Sequence, residues 1–386
     1  MEKSLCRSSA LWVALLLPLI TSPACRPSRT VAPGYHEYAY VTNGKSNSVS
    51  VIDLLQLRNV KTIPVGAGPT GIAASPTRNE IYVANADSSN ISIIDAERNQ
   101  VVATIGVHAK PYFVSVSSDG KHAYVANAGS ANVSVIDLAK RAVIATIRVG
   151  GAPGLARVSP DGKLAVASNR ADDTISIIDT EKLAVRSTVK VCRQPQDLAI
   201  LPDNSKVFVA CPGSDQVAAV DLKSGRLLTY LDVGELPVQL ALKPDGGELF
   251  VSNFNSNNFS VIETTTNEVG GSYLIGNNPT HGIVSSDNSL LYMSNFGSGT
   301  VSVYAIDEGR VIGAVQVGNH PDALALTPDE AHLLVVDSGS GDVAVVRTVK
   351  TRDNSKLSAD RALVTLIPVG KQPNDIVIKA FTVTSR

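Results

Sequence analysis

The chain has 386 residues and a formal net charge of -1 at pH 7, and charged residues make up 18% of it. This near-neutral balance gives no reason to expect a nucleic acid or an anionic membrane surface as a partner, and no basic stripe appears along the chain. Abundant valine, isoleucine and serine suit half-buried strands joined by short polar turns, which excludes a disordered chain.

The N-terminus has the pattern of a targeting segment. Lys3 and Arg7 supply positive charge, and residues 10–20 form an apolar run that is too short to span a bilayer comfortably. Small residues then precede Cys25. We therefore predict that residues 1–24 are a secretory signal peptide.

Cys25 stands where the lipidated cysteine of a bacterial lipoprotein would stand. Such lipoproteins usually carry leucine three residues earlier, and here that residue is Ser22. Residues 25–34, rich in Pro, Ser and Arg, read as a short tether. Cleavage after Ala24 without lipidation and an uncleaved membrane anchor are the alternatives. Each of the three places the rest of the chain outside the cytoplasm, in the periplasm or on the cell surface, and lipidation would add a membrane contact.

A proline then recurs every 42 residues. These register prolines are Pro69, Pro111, Pro153, Pro195, Pro237, Pro279 and Pro321. The last residue of a YVxN-like motif keeps the same step, at Asn43, Asn85, Asn127, Asn169, Cys211, Asn253, Asn295 and Asp337. A fixed period near 40 residues with strand-like content is the signature of a β-propeller.

One copy, from Pro69 to Lys110, shows how the repeat folds. Four short runs of β-branched and apolar residues are separated by turn residues, which predicts four antiparallel strands, the content of one propeller blade. The predicted strands are 70–75, 81–85, 91–95 and 101–107.

The number of blades follows from the strands at the two chain ends. Seven full copies start at the register prolines, and the last is stretched by ten residues around 350–360. Three strands precede Pro69 (38–43, 48–53 and 60–65) and one follows Pro373 (375–381). Together they predict an eighth blade, closed by strands from both termini within a single domain of residues 35–386. Seven blades are the alternative, if one terminal set packs outside the ring.

The motif at Tyr40–Asn43 and its copies at 82–85 and 124–127 resemble the YVTN β-propeller repeat family, as do the VSVID segment at 49–53 and the VGxxP step. The resemblance covers about residues 38–380. It implies an extracytoplasmic or surface propeller, and members look like binding modules more often than enzymes. The chain departs from the pattern where Cys211 and Asp337 replace the asparagine.

Propellers bind ligands at the mouth of the central channel, and the repeats place that rim at the two residues after each register proline. The copies disagree there although they agree elsewhere, as expected of a site built on a regular scaffold. Solvated loop ends under no constraint are the alternative. The candidate ligand-binding residues are Gln196, Asp197, Gln239, His281, His320, Asp322 and Asp375.

These features predict a monomeric binding or scaffolding propeller for a protein, a glycan or a small-molecule ligand, and not an enzyme. We expect no cofactor: the GxGxxG match at 66–71 is followed by a strand instead of a helix, and no CxxCH occurs. The alternative is a metal-dependent hydrolase or lactonase with its site at the channel mouth, because Asp and His side chains could jointly bind a divalent metal.

Two cysteines interrupt the repeat in one copy. Cys192 replaces the glycine of VGxxP and Cys211 replaces the asparagine of YVxN, both around Pro195. One strand runs away from this face after Pro195 and the next returns to it, so the two cysteines are predicted to form a disulfide, which an exported protein permits. Two unrelated buried thiols are the alternative.

Overall fold

The 42-residue repeat folds into a ring of eight four-stranded antiparallel sheets. The computed structural model describes residues 32–348 and 362–383, and these contain 32 strands. Each sheet is one blade of a β-propeller. The prediction of eight blades is confirmed, and the seven-blade alternative is wrong.

Every blade has the same order of strands from the channel outward. The innermost strands are β4 (Pro69–Ala74), β8 (Pro111–Val116), β12 (Pro153–Val158), β16 (Leu198–Ile200), β20 (Pro237–Leu242), β24 (Pro279–Val284), β28 (Pro321–Leu326) and β32 (Pro373–Thr382). The second strands are β1 (Tyr35–Asn43), β5 (Glu80–Asn85), β9 (His122–Asn127), β13 (Leu164–Asn169), β17 (Lys206–Cys211), β21 (Glu248–Asn253), β25 (Leu290–Asn295) and β29 (His332–Asp337).

The third and fourth strands complete the blades. The third strands are β2 (Ser48–Asp53), β6 (Asn90–Asp95), β10 (Asn132–Asp137), β14 (Thr174–Asp179), β18 (Gln216–Asp221), β22 (Asn258–Glu263), β26 (Thr300–Ala305) and β30 (Asp342–Arg347). The outer strands are β3 (Arg58–Pro64), β7 (Gln100–Gly106), β11 (Ala142–Arg148), β15 (Ala184–Lys190), β19 (Arg226–Asp232), β23 (Glu268–Leu274), β27 (Arg310–Gln316) and β31 (Leu363–Pro368).

The ring closes through strands from both ends of the chain. In blade 1, β32 pairs with β1 from Tyr35↔Thr382 to Asn43↔Pro373, and β2 and β3 follow outward. β32 also packs against β28 and β4, the inner strands of the two neighbouring blades. The predicted three-plus-one blade is confirmed. No free inner edge is left at the junction.

The core lies between neighbouring blades. The tyrosine of the YVxN motif and its equivalents are buried at one register, at Tyr40, Tyr82, Tyr124, Phe208, Phe250 and Tyr292. The hydroxyl of Tyr40 donates a hydrogen bond of 2.6 Å to Asn99 of the next blade, which satisfies the polar end of a ring that is otherwise surrounded by apolar side chains. The outer strands are mostly exposed, so this packing between blades holds the ring together.

The glycine of VGxxP and the asparagine of YVxN fit together in each regular repeat. Asn85 donates hydrogen bonds to Asn90 (2.8 Å) and Ser92 (2.9 Å). A Cβ atom on Gly66 would lie only 2.7 Å from the Cβ of Asn85, and the same close contact recurs in blades 1, 4, 6 and 7, whereas blade 3 carries His108 at this position beside Asn127. The two positions therefore form one structural unit.

Blade 5 replaces this glycine–asparagine unit with a disulfide between Cys192 and Cys211, whose Cα atoms are 5.6 Å apart. The predicted disulfide is confirmed. The inner strand of this blade, β16, begins only at Leu198, whereas the other inner strands begin at their prolines. Gln196 instead donates its backbone N–H to the carbonyl of Ala210 at 2.8 Å outside the regular ladder.

Several predictions fall on residues 1–31 and 349–361, outside the described part of the chain. They include the signal peptide, the cleavage and lipidation of Cys25, and most of the ten-residue insertion. Among the residues that the structure describes, no helix is long and apolar enough to cross a bilayer.

Candidate functional site

A cavity of about 620 Å³ occupies the mouth of the channel, at the end where the inner strands begin. Its wall is built largely from the first and second residues after the register prolines, as predicted. The predicted residues that line it are Gln196, Asp197, Gln239, His281, Asp322 and Asp375. His320 does not line it. It lies exposed beside the mouth, stacked on Phe296.

A β-bulge explains why these residues face the cavity. In blade 2, Pro69 pairs with Asn85 and the next pair is Ile72 with Val83, so Thr70 and Gly71 lie opposite a single residue. The same one-residue excess follows the register prolines of blades 3, 4, 6, 7 and 8. A bulge redirects side chains locally while the strand continues. Each of these blades can therefore present two variable side chains to the mouth without losing its register.

Asp197 and Asp375 bridge neighbouring blades. Each accepts a hydrogen bond at 2.9 Å from the N–H of the next residue in its own strand. Their second oxygens accept from the next blade, Asp197 from the N–H of Leu240 (2.9 Å) and Asp375 from that of Ile72 (3.2 Å). Backbone N–H groups thus occupy both oxygens of each carboxylate. The first role of Asp197 and Asp375 is therefore to hold the wall of the cavity together.

Gln239 makes the same bridge, since its Oε1 accepts from the N–H of Gly282 at 2.9 Å.

Burial raises the pKa of Asp375 to about 6, while its hydrogen bonds with Ile376 and Ile72 and the charge of His281 oppose that rise. Asp375 therefore changes charge within the mildly acidic range.

His281 and Asp322 form a charged pair across two blades. The Nδ1 atom of His281 lies 2.8 Å from Oδ1 of Asp322, and the two side chains are 42% and 30% exposed. Burial lowers the pKa of His281, but the charge and hydrogen bond of Asp322, together with Asp197 and Asp375, outweigh it and raise the pKa above its usual value. Burial raises the pKa of Asp322, and His281 more than offsets this, so that pKa is lowered. Both shifts favour imidazolium beside carboxylate.

The opposite side of the mouth carries arginines stacked on aromatic rings. The guanidinium of Arg157 lies 5.4 Å from the ring centre of Phe113 and 3.0 Å from Asp197. Arg170 lies 5.1 Å from the ring centre of Tyr112. Within the described residues, the guanidinium of Arg170 has no carboxylate partner. Its one hydrogen bond there is a long contact of 3.5 Å to the backbone carbonyl of Ala152.

Sequence reasoning missed both arginines. Arg157 occupies the fourth position after its register proline, where the other copies carry Ala, Ser, Ile or Val, so its charge is a signal in the internal alignment. Arg170 follows Asn169 on the second strand and reaches the mouth over Gly154. A Cβ atom on Gly154 would lie 3.2 Å from Nε of Arg170. Gly154 thus leaves space against which the arginine side chain packs closely.

The mouth is therefore divided into an acidic–imidazole side and an arginine–aromatic side. Among the described residues, no group of three or more His, Cys, Asp and Glu side chains is arranged to hold a metal ion. The arrangement can bind an anion at Arg170, place a flat ring against the aromatic side chains, and exchange a proton through His281.

Two family models match parts of the chain, the Cytochrome D1 heme domain over residues 77–197 and the 7-bladed β-propeller Lactonase over residues 226–366. Both describe β-propellers, and neither is the YVTN repeat. No curated protein sequence matches the chain.

Solved structures with the same architecture include hydrazine synthase of Kuenenia stuttgartiensis, with 23% identity, a TM-score of 0.60 and coverage of 73% of this chain and 96% of that one. Dihydro-heme d1 dehydrogenase NirN in complex with DHE has 16% identity, a TM-score of 0.73 and coverage of 93% and 78%. A functionally unknown protein of Desulfotomaculum acetoxidans DSM 771 has 16% identity, a TM-score of 0.59 and coverage of 88% and 98%. These likenesses show the fold.

Proposed function

We propose that this β-propeller, related to heme d1 and lactonase-type propellers, is an exported binding module whose channel mouth takes a small ligand bearing an anionic group. The proposal includes membership of the YVTN repeat family, based on the motif at Tyr40–Asn43 and its copies, and lipid anchoring at Cys25. Neither the ligand nor the location of the protein is established by the fold.

The observation that supports an anionic ligand is the state of Arg170. Its guanidinium stacks on Tyr112 at the edge of a cavity of about 620 Å³ without a carboxylate partner among the described residues. By contrast, Asp197 neutralises Arg157, and Asp322 neutralises His281. A guanidinium held on an aromatic face is preorganised to bind a carboxylate or phosphate through two parallel hydrogen bonds.

The names of the related proteins suggest which anion to test first. The Cytochrome D1 heme domain model covers Tyr112, Arg157 and Arg170, and NirN was solved with a ligand. The side chains present fit a flat carboxylated ring: Arg170 would hold a carboxylate, and Tyr112 and Phe113 would contact the ring. A heme-type tetrapyrrole is a flat ring with carboxylates, and it would supply a coloured, redox-active group when bound.

The test is a titration of the purified protein with hemin, followed by absorbance, and with benzoate and phthalate, followed by thermal shift. We expect at least one carboxylate to bind, and Arg170→Ala to weaken that binding about tenfold or more. Arg148→Ala, an exposed arginine on the outer strand β11, is the matched control and should bind normally. Absence of binding by the wild type, or equal loss in both variants, contradicts the proposal.

A hydrolase or lactonase is the second candidate, because the Lactonase model covers His281 and Asp322, which form a hydrogen-bonded pair in the mouth. Elemental analysis of the purified protein and a lactone hydrolysis assay test it. A stoichiometric bound metal together with hydrolysis that His281→Ala abolishes would favour this candidate over the binding module.

A further inference from the structure

Three aromatic rings follow one another along the rim of blades 6, 7 and 8. The ring centres of Phe254 and Phe296 are 6.1 Å apart. His320 then stacks on Phe296 with centres 4.3 Å apart and planes within 4°. We call these three residues the aromatic shelf. Phe254 also lines the mouth cavity, so the shelf begins at the cavity and leads outward onto the face of the propeller.

The backbone holds the shelf in place. The N–H of Phe254 donates to the carbonyl of Leu236 at 3.0 Å, and that of Phe296 donates to Asn278 at 2.9 Å. The carbonyl of His320 accepts from Ser338 at 3.0 Å. Each ring therefore sits on a loop tied to its neighbour, and little conformational entropy remains to be lost when a ligand is bound.

A glycine makes room for the outermost ring. A Cβ atom on Gly339 would lie 2.7 Å from Nδ1 of His320, so a larger residue at this position would displace the imidazole from Phe296. The stacked arrangement thus depends on the local sequence and not only on the general fold.

Most side chains in the loops around the shelf are polar and uncharged, but the exposed Glu235, whose backbone carbonyl accepts from the N–H of Asn255 at 3.2 Å, adds one negative charge. Asn255, Asn277 and Asn319 are exposed, and their amides make no hydrogen bond with other described residues. The adjoining loop segments 254–257, 296–299 and 338–341 contain only Phe, Asn, Ser and Gly. The corresponding loops on the other side of the ring carry more charge, at Lys45, Asp87, Arg170 and Asp172.

We propose that the aromatic shelf and its three free amides bind a neutral carbohydrate. One face of a pyranose ring presents C–H groups that pack on an aromatic face, while its hydroxyls require neighbours that both donate and accept hydrogen bonds. An asparagine amide does both. The single carboxylate beside the shelf, Glu235, would repel an anionic polymer, whereas the three uncharged amides suit a neutral ligand. This site is separate from the anion site at Arg170 and does not depend on it.

The test uses an array of neutral glucose-, galactose-, mannose- and N-acetylglucosamine-based oligosaccharides, followed by affinity electrophoresis in gels that contain the polysaccharide of the best hit. We expect retention by the wild type and a loss of about tenfold in affinity for Phe296→Ala. Tyr230→Ala removes an exposed aromatic side chain on the outer strand β19, away from the shelf, and should leave retention unchanged.

Two further variants keep the outcome decisive. Asn277→Ala with Asn319→Ala changes only exposed side chains, so it should fold normally and still weaken retention, even if Phe296→Ala is unstable. Arg170→Ala should retain the glycan while losing the anion, which separates failure of this site from failure of the anion site. Binding of no neutral glycan by the wild type, or full retention by the double asparagine variant, would overturn the proposal.

Discussion

Asp337 and Asp342 face each other as paired residues of β29 and β30, and their two carboxyl groups interact inside blade 8. Asp337 is fully buried at the position where most other blades carry the asparagine of YVxN. Both of its side-chain oxygens, and Oδ1 of Asp342, lack a hydrogen-bond partner among the described residues unless one of the two carboxyl groups carries a proton. Burial and the neighbouring carboxylate raise the pKa of Asp337 to about 8.

The raised pKa of Asp337 predicts that stability falls as pH rises. The folded state keeps a proton that the unfolded chain loses near pH 4, so its contribution is fully present below pH 4 and is lost between about pH 4 and 8. Asp337→Asn restores a neutral donor to Asp342 and should raise the free energy of unfolding by about 1–3 kcal/mol at pH 8, and by less at pH 5. Urea unfolding at the two pH values measures this. Asp307→Asn, which removes one exposed negative charge, serves as the control, and an equal gain in both variants contradicts the prediction.

The closure of blade 1 predicts a strong dependence on the C-terminal strand. Removing residues 373–386 exposes the inner edge of β1 and loses the buried side chains of Ile376 and Phe381. We expect the melting temperature to fall by about 10 °C or more. Removal of residues 384–386 alone is the control and should have little effect. A melting temperature unchanged by the longer deletion would count heavily against the closure.

The disulfide of blade 5 predicts that no free thiol remains at Cys192 or Cys211 in protein made in an oxidising compartment. Alkylation under denaturing conditions without reductant, followed by mass spectrometry, tests this directly. Cys192→Ala with Cys211→Ala should lose roughly 3 kcal/mol in the chain-entropy account of a cross-link of this span.

The repeat also supplies a matched variant for the disulfide. Cys192→Gly with Cys211→Asn rebuilds the glycine–asparagine unit of blades 1, 2, 4, 6 and 7, with Gln216 as an acceptor for the new amide. We expect this variant to be more stable than the alanine pair. Equal unfolding free energies for the alanine pair and the glycine–asparagine pair would show that glycine and asparagine add no stability at these two positions, which contradicts the prediction.

The pairing of His281 with Asp322 predicts a measurable change in titration. Because the carboxylate of Asp322 raises the pKa of His281, Asp322→Asn should lower that pKa, and Asp375→Asn should lower it by less. Imidazole NMR shifts across pH 5 to 9 give the values. Asp87→Asn, at an exposed position on the rim, should leave His281 unchanged, and an unaltered pKa in Asp322→Asn would mean that the pair is not formed in solution.

The proposed lipid anchor predicts a mature chain that begins at Cys25 and partitions with membranes. It should lack tryptophan, because Trp12 is the single tryptophan and lies in the predicted signal. Cys25→Ala should release the protein to the soluble fraction. Mass spectrometry of the N-terminus and fractionation decide this, and a soluble wild type with an unmodified Cys25 excludes lipidation.

The ring could be predicted from the sequence because its signals are local. A register proline, a turn of polar residues and a YVxN strand each depend on a few neighbouring residues. Their regular spacing of 42 residues gives the number of blades. The same register pointed to Asp197, His281 and Asp375, and a bulge at a fixed place turns the side chains of His281 and Asp375 into the channel.

Contacts between blades could not be predicted in the same way. Nothing in the sequence around Asp197 or Asp375 shows that an N–H of the next blade occupies each carboxylate. Arg170 reaches the mouth from a different strand, over the space left by Gly154, and that reach depends on the packed ring. The stacking of His320 on Phe296 likewise joins loops of two blades whose relative position only the closed structure defines.

The antiparallel pairing of β1 with β32 also places both chain ends on one face of the ring. Asn43 and Pro373 lie at the mouth, whereas Tyr35 and Thr382 lie at the other end of the same blade, where Val383 donates its N–H to Gly34 at 2.9 Å. Both ends of the folded ring thus emerge on the face opposite the cavity. A tether of residues 25–34 extends at most about 35 Å. If that tether anchored the propeller, the face that carries both chain ends would lie toward the membrane. The cavity and the aromatic shelf would then face away from the membrane, where a ligand can reach them.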